Sequence, residues 1–232
     1  MILGVIQARM SSSRLPGKVM ADLLGEPMIG RQIERLRRSK RLDQLVLATS
    51  QDASDDPVAA YCETVGLTVV RGPLADVLAR FALAADAFPQ AKTLVRLTAD
   101  CPLTDWRVLD ALIDRLVETG ADYANNTMPK RTFPHGLDVE AMTIAAFRAA
   151  AAEATDAYDR EHVTPFIYRQ PDRFRLATLT REPSLAHLRW TVDYPEDLDL
   201  VRHVYGALYA QDPDFGTEAI AALAWNSSKA AV

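Results

Sequence analysis

Residues 7–18 read Q-A-R-M-S-S-S-R-L-P-G-K, which sets Arg9, Arg14 and Lys18 around three consecutive serines, Ser11, Ser12 and Ser13. Cations neutralise phosphate oxygens, and the free N–H groups of such a loop, from Ala8 onward, can donate to them. Pro16-Gly17 makes a turn that presents Lys18. Two other stretches, A-D-C-P-L at 99–103 and D-Y-P-E-D-L at 193–198, offer Asp100 and Asp193 directly after a strand-like run. Carboxylates of this kind hold a hard cation such as Mg through one or two oxygens, while water and phosphate complete its shell. A polyphosphate with a divalent cation needs this combination. Asp100 also stands where an aspartate can cap a helix, so that reading stays open beside the metal one.

The elements that must position these residues follow from periodicity. Leu3 to Ala8, Leu45 to Thr49, Thr68 to Val70 and Thr93 to Thr98 read as short strands. Between them Ile29, Ile33 and Leu36, then Val58, Cys62 and Val65, then Leu78, Phe81, Ala82 and Ala85 fall at helical spacing, and Leu109, Leu112, Ile113 and Leu116 do so after the fourth strand. Strands alternating with helices imply a parallel sheet covered on both faces. Beyond Ala121 the alternation weakens; Gly136 to Met142, Phe174 to Leu179 and Arg189 to Val192 are expected as strands, and Leu198, Val201, Tyr205 and Leu208 mark a final helix. In an open α/β sheet ligands bind beyond the carboxyl ends of the strands. All three chemical stretches follow expected strands.

Composition narrows the class. The 232 residues are 49% hydrophobic and 25% charged, and they fit one domain over 1–225 with a disordered tail at 226–232. Two cysteines, Cys62 and Cys101, make neither a disulfide framework nor a zinc pair. The longest apolar stretch, Ala141 to Ala152, is broken by Arg148 and too short to span a membrane, and no basic leader opens the chain; a cytoplasmic protein is expected. The net charge of −5 argues against nucleic acid as a partner. Residues 1–41 nevertheless hold nine Lys or Arg against three acidic residues, which suits a small anionic ligand. Within that segment Arg35, Arg37, Arg38, Lys40 and Arg41 are expected on a solvated helix face. No Walker A loop and no G-x-G-x-x-G occurs.

The stretch A-R-M-S-S-S-R-L-P-G-K resembles the A-R-x-x-S-x-R-L-P-x-K signature of the sugar-activating cytidylyltransferases, which make CMP-Kdo and CMP-sialic acid. The chain looks still more like their spore-coat polysaccharide biosynthesis relatives, through DVLARF at 76–81, RLTADCPL at 96–103, PHGLDVE at 134–140, REHVT at 160–164 and TVDYPEDL at 191–198. The resemblance implies an α/β three-layer sandwich with a mostly parallel mixed sheet, of nucleotide-diphospho-sugar transferase (GT-A-like) type, and commonly a homodimer. It implies transfer of CMP from CTP to a hydroxyl of an acidic sugar or related polyol, releasing pyrophosphate. On it Arg9 and Lys18 grip the triphosphate with Arg14 alongside, Asp100 and Asp193 hold magnesium, and Arg9, Lys18 and Asp100 carry the catalysis.

Other residues complete the expected site. Arg71, Asp76 and Arg80 follow the third strand and by the resemblance lie near the nucleotide; Arg71 either meets ribose or base or pairs with Asp76. Thr49 is a candidate for hydrogen bonding the base region. Arg160, Glu161 and His162, with His135 and the alternating Asp138 and Glu140, are the candidates for the acceptor pocket. Asp197 and Asp199 sit where acids favour a helix macrodipole, and Cys101 reads as a packed small residue. The rivals are transfer from GTP or UTP, a glycosyltransferase on a similar sheet, and a nucleotide-binding regulator without turnover.

Overall fold

A strand covered on both faces must be apolar along its length, and Ile2–Gln7 (β1), I-L-G-V-I-Q, is such an interior strand. In the computed structural model, which describes residues 1–224, β1 pairs in parallel with Gln44–Ser50 (β4) on one side and Thr93–Thr98 (β6) on the other. Thr68–Gly72 (β5) adds in parallel outside β4. Beyond β6 the sheet turns mixed: Glu140–Thr143 (β8) runs antiparallel to β6 and to Tyr123–Asn125 (β7), and Leu176–Thr178 (β9) closes the edge in parallel with β7. The order is β5-β4-β1-β6-β8-β7-β9.

Because side chains alternate across a strand, β1 feeds two cores. Ile6, with Leu47 and Leu97, packs against Met28–Leu36 (α1), Asp56–Thr64 (α2) and Trp106–Thr119 (α4) through Ile29, Ile33, Val58, Cys62, Leu109 and Leu112. Leu3 and Val5, with Val46 and Leu94, face Val77–Ala87 (α3) and Ile144–Glu153 (α5) through Leu78, Phe81 and Phe147. The result is the expected three-layer α/β sandwich. A third core joins a small hairpin, Asp22–Leu23 (β2) and Glu26–Pro27 (β3), to Pro195–Leu208 (α8) and Thr217–Ala224 (α9) around Trp190, Tyr205 and Phe215. The two short helices Ala157–His162 (α6) and Pro165–Tyr168 (α7) lie beside α3 and α5.

The second half departs from expectation in ways that matter for the site. Arg189–Val192 is not a strand; it makes a single isolated parallel bridge, His135 with Arg189. The strand expected over Gly136–Met142 begins only at Glu140, because the buried side chain of Asn126 takes the ladder's place: its Nδ2 donates to Leu137 O and its Oδ1 accepts from Val139 N. The segments meet very closely at Gly136, whose φ is +100° and where a Cβ would lie 2.5 Å from Thr191 N. Strand β7 and helices α5 and α9 were not anticipated, since the apolar run at 141–152 hides the end of β8 and all of α5. Arg35 is not solvated: it is buried, donating to Thr104 O and Phe215 O. The expected tail at 226–232 lies outside the described residues.

Candidate active site

The loop after β1 is tied down by main-chain bonds and one buried carboxylate. Met10 O accepts from the amides of Ser12 and Gly17, and Met10 N donates to Asp55 Oδ1 at 2.7 Å. Asp55, fully buried, also accepts from the hydroxyls of Thr49 and Ser50 at the end of β4. Gly17 adopts φ +74°, a left-handed conformation that costs glycine nothing, and starts the 3₁₀ turn Lys18–Met20 that delivers Lys18 inward. Among the described residues the amides of Ser11 and Ser13 have no hydrogen-bond partner.

Lys18 stands between the two aspartates. Its Nζ donates to Val192 O at 2.6 Å and to Asp193 Oδ1 at 3.1 Å, and lies 3.5 Å from Asp100 Oδ2. The backbone brings the carboxylates together: Val192 N donates to Asp100 O, so residues from distant parts of the chain share one corner. Asp193 is crowded by cations, accepting from Arg14 at 2.6 Å and Arg189 at 2.8 Å besides Lys18. Burial pushes its carboxyl up, but the hydrogen bonds from Arg189 and Lys18 and the charge of Arg14 outweigh it, leaving the pKa below the ordinary carboxylate range. Asp197 holds Arg189 in turn and accepts from the amides of Asp193 and Tyr194, so it does more than favour the dipole of α8. Asp100 is the freer carboxylate, 31% exposed, with the Cys101 thiol as its one hydrogen-bond donor besides nearby Lys18. Burial raises the Cys101 thiol well above its usual pKa, as a packed residue requires.

Both aspartates open onto a cavity of about 570 Å³ beyond the ends of β1 and β6. Its wall includes Ala8, Arg9, Ser12, Ser13, Arg14 and Lys18 from the first loop. It also includes Arg80, which is only 2% exposed, whose Nε has no partner, and whose Nη1 reaches Leu74 O at a long 3.4 Å. Burial first, then repulsion from Arg9, lowers the pKa of its guanidinium. Asp55 and Asp76 offset this only in part; a buried cation without a direct ion pair is costly, and an anion in the cavity would supply one.

A second cavity, of about 210 Å³, shares Thr98 and His162 with the first. Asp138, Glu140 and His162 line it as expected, whereas Glu161 lines the larger one. Its charges are paired. Arg131 donates to both oxygens of Asp138, and Arg96 donates to Glu140, which also accepts from Tyr123 Oη at 2.5 Å and Thr164 Oγ1 at 2.6 Å.

Several expected site residues lie elsewhere. Thr49 is fully buried and spends its hydroxyl on Asp55. Arg71 neither reaches the cavity nor pairs with Asp76; it binds Ser50 O and Asp52 O and pairs with Asp56. Asp76 caps α3 through Ala79 N and accepts from Arg160, whose remaining donor goes to Ala154 O, so neither enters a pocket. His135 lines neither cavity; it bridges Arg189, and burial, then repulsion from Arg131, lowers its pKa. Ser11 stays off the cavity wall. The residues missed were Asp55, Arg189 and Arg96. Only Asp55 left a trace, in the acid-rich D-A-S-D-D-P after β4.

This sheet, with a cationic loop and two carboxylates gathered beyond the carboxyl ends of β1 and β6, is that of a nucleotidyltransferase. The chain belongs to the cytidylyltransferase family, whose sequence profile matches residues 3–210. It is 34% identical over 214 residues to the spore coat polysaccharide biosynthesis protein SpsF of Bacillus subtilis, covering 88% of this chain and 86% of that one. It is 33% identical over 127 residues to the 3-deoxy-manno-octulosonate cytidylyltransferase of Anaeromyxobacter sp. (strain Fw109-5), a match over about half of each chain. The solved structure of a cytidylyltransferase from Leptospira borgpetersenii superposes with a TM-score of 0.89 at 28% identity, over 96% of this chain and 92% of that one.

Proposed function

We propose that the protein transfers CMP from CTP to a hydroxyl of an acidic sugar or related polyol, releasing pyrophosphate, in the making of a surface polysaccharide. The observation that carries this reading is one cavity in which Lys18 sits between Asp100 and Asp193 while Arg80 stays buried and unpaired. A polyanion supplies what Arg80 lacks. Arg9, Arg14 and the unbonded amides of the serine loop then meet the outer phosphates, and Lys18 follows the charge that builds on the leaving pyrophosphate. The relatives named for spore coat polysaccharide and for 3-deoxy-manno-octulosonate support a sugar acceptor.

The donor set fits magnesium: Asp100, with one weak hydrogen bond, and Asp193 both line the cavity within 3.5 Å of Lys18 Nζ and offer hard carboxylate oxygens. Asp100 and Asp193 would hold the ion, with phosphate and water completing its shell. When bound, such an ion neutralises phosphate charge in the transition state. In the smaller cavity Asp138 and Glu140 suit sugar hydroxyls. Arg131, held by both oxygens of Asp138, keeps further guanidinium donors that a carboxylate on the acceptor can share. Among the described residues no helix is long and apolar enough to cross a membrane.

A thermal-shift panel of CTP, GTP, UTP and ATP with magnesium tests the reading. CTP at ~100 times its dissociation constant should stabilise the fold by about 2.7 kcal/mol, a visible rise in Tm, and pyrophosphate release with a sugar panel should follow. Selective stabilisation by a purine nucleotide or by UTP would replace CTP as the donor.

A further inference from the structure

His162 stands where the two cavities meet. It is the one ionisable side chain on both walls, and Thr98 is the other residue they share. On the proposed function, a hydroxyl held in the smaller cavity would meet a phosphorus held in the larger one at this junction. Among the described residues the imidazole makes no hydrogen bond and no ion pair; it lies against the Tyr158 ring, centroids 4.2 Å apart. The carboxylates of the smaller cavity are already committed, Asp138 to Arg131 and Glu140 to Arg96, Tyr123 and Thr164. The other groups facing the junction are Glu161 from its own helix, Arg80 from α3 and Tyr168 from α7.

The backbone is strained to put it there. Val163, the next residue, is fully buried at φ +72°. A β-branched residue in the left-handed region is a genuine outlier, and such strain gathers at functional sites. The reversal ends α6 with Thr164 N donating to His162 O, and sends the Thr164 hydroxyl to Glu140 while His162 faces the junction.

We infer that His162 is the general base of the reaction, on the footing of the cytidylyl-transfer reading above. An imidazole nitrogen takes the proton of the acceptor hydroxyl as the oxygen's electron pair forms a bond to the α-phosphorus of CTP. The bond from that phosphorus to the bridging oxygen of the β-phosphate breaks, pyrophosphate leaves with the electron pair, and the imidazolium later releases its proton to solvent. Histidine is the side chain suited to this task near neutral pH.

His162→Gln keeps size and polarity but cannot take the proton. The test measures pyrophosphate release from CTP and magnesium with 3-deoxy-manno-octulosonate as the acceptor probe, and with water alone as a second. The substitution should lower kcat about 10²- to 10⁴-fold, leave the CTP thermal shift and the KM for CTP unchanged, and abolish the acid limb of the kcat–pH profile. A variant that keeps kcat within about threefold, keeps the acid limb, or changes only the acceptor KM overturns the assignment while CTP binding stands. Should the unaltered protein neither bind CTP nor release pyrophosphate with either acceptor, the reading beneath falls and takes this one with it.

Discussion

The larger cavity holds cations in excess, and the smaller one pairs both of its arginines with carboxylates. In the first, Arg9 and Arg80 repel each other, Asp55 and Asp76 offset the Arg80 charge only in part and without an ion pair, and Lys18 mediates between two aspartates. In the second, Arg96 and Arg131 are committed to Glu140 and Asp138. An uncompensated cation is an electrostatic vacancy that a polyanion fills, whereas a paired network offers directional donors and acceptors that suit hydroxyls. On the proposed function the difference puts donor and acceptor in separate cavities that share His162 and Thr98.

After His162, the largest expected effect is at Lys18. If it stabilises charge only as the reaction proceeds, Lys18→Ala should cost on the order of 2–4 kcal/mol of barrier, roughly 30- to 1,000-fold in kcat at saturating nucleotide. Full rate under those conditions would remove Lys18 from the chemistry and leave it a prop for Asp193 and Val192 O.

Arg80 and Arg96 sharpen the contrast by moving stability in opposite directions. Arg80→Met removes a buried charge that has no direct ion pair and one long hydrogen bond, so the free protein should gain about 1 kcal/mol, some 2–4 °C in Tm at this size. CTP affinity should meanwhile fall about 10- to 100-fold, as for a lost hydrogen bond to a charged group. Arg96→Met leaves Glu140 part-buried without its cation and should lower Tm while sparing CTP affinity. If both substitutions destabilise alike, the two cavities do not differ in charge compensation.

How far the sequence carries follows from the same contrast. The phosphate loop lies within twelve consecutive residues, so its cations, serines and Pro-Gly turn can be read together, and Arg9, Arg14 and Lys18 all reach the cavity wall. The alternating first half of the fold is legible for the same reason. Asp193 was placed by analogy of strand ends, yet no strand precedes it; Gly136 and the Val192–Asp100 bond bring it in. Arg71, Asp76 and Arg160 misled because sequence gives polarity but not partner, and each found one within the fold. Arg96, alternating within an apolar strand, gave no sign of its tie to Glu140, which depends on a register only the folded sheet fixes.

The smallest effect separates the carboxylates of the larger cavity by pH. The folded-state pKa of Asp193 is depressed, so its ionised form contributes stability above the ordinary carboxylate pKa, near pH 4, and that contribution is lost as pH falls through the lowered value. Asp193→Asn leaves Arg14, Lys18 and Arg189 facing one another, so its Tm should lie below that of the unaltered protein at pH 7. The gap should begin to close as pH drops below about 4, where the unfolded chain takes up the proton, and vanish below the lowered folded-state value. Thermal melts across pH 2.5–7.5 would read the two curves. Curves that stay parallel to the acid end would mean that Asp193 holds no ionised advantage in the fold, and that the cations around it are screened by solvent, not by this carboxylate.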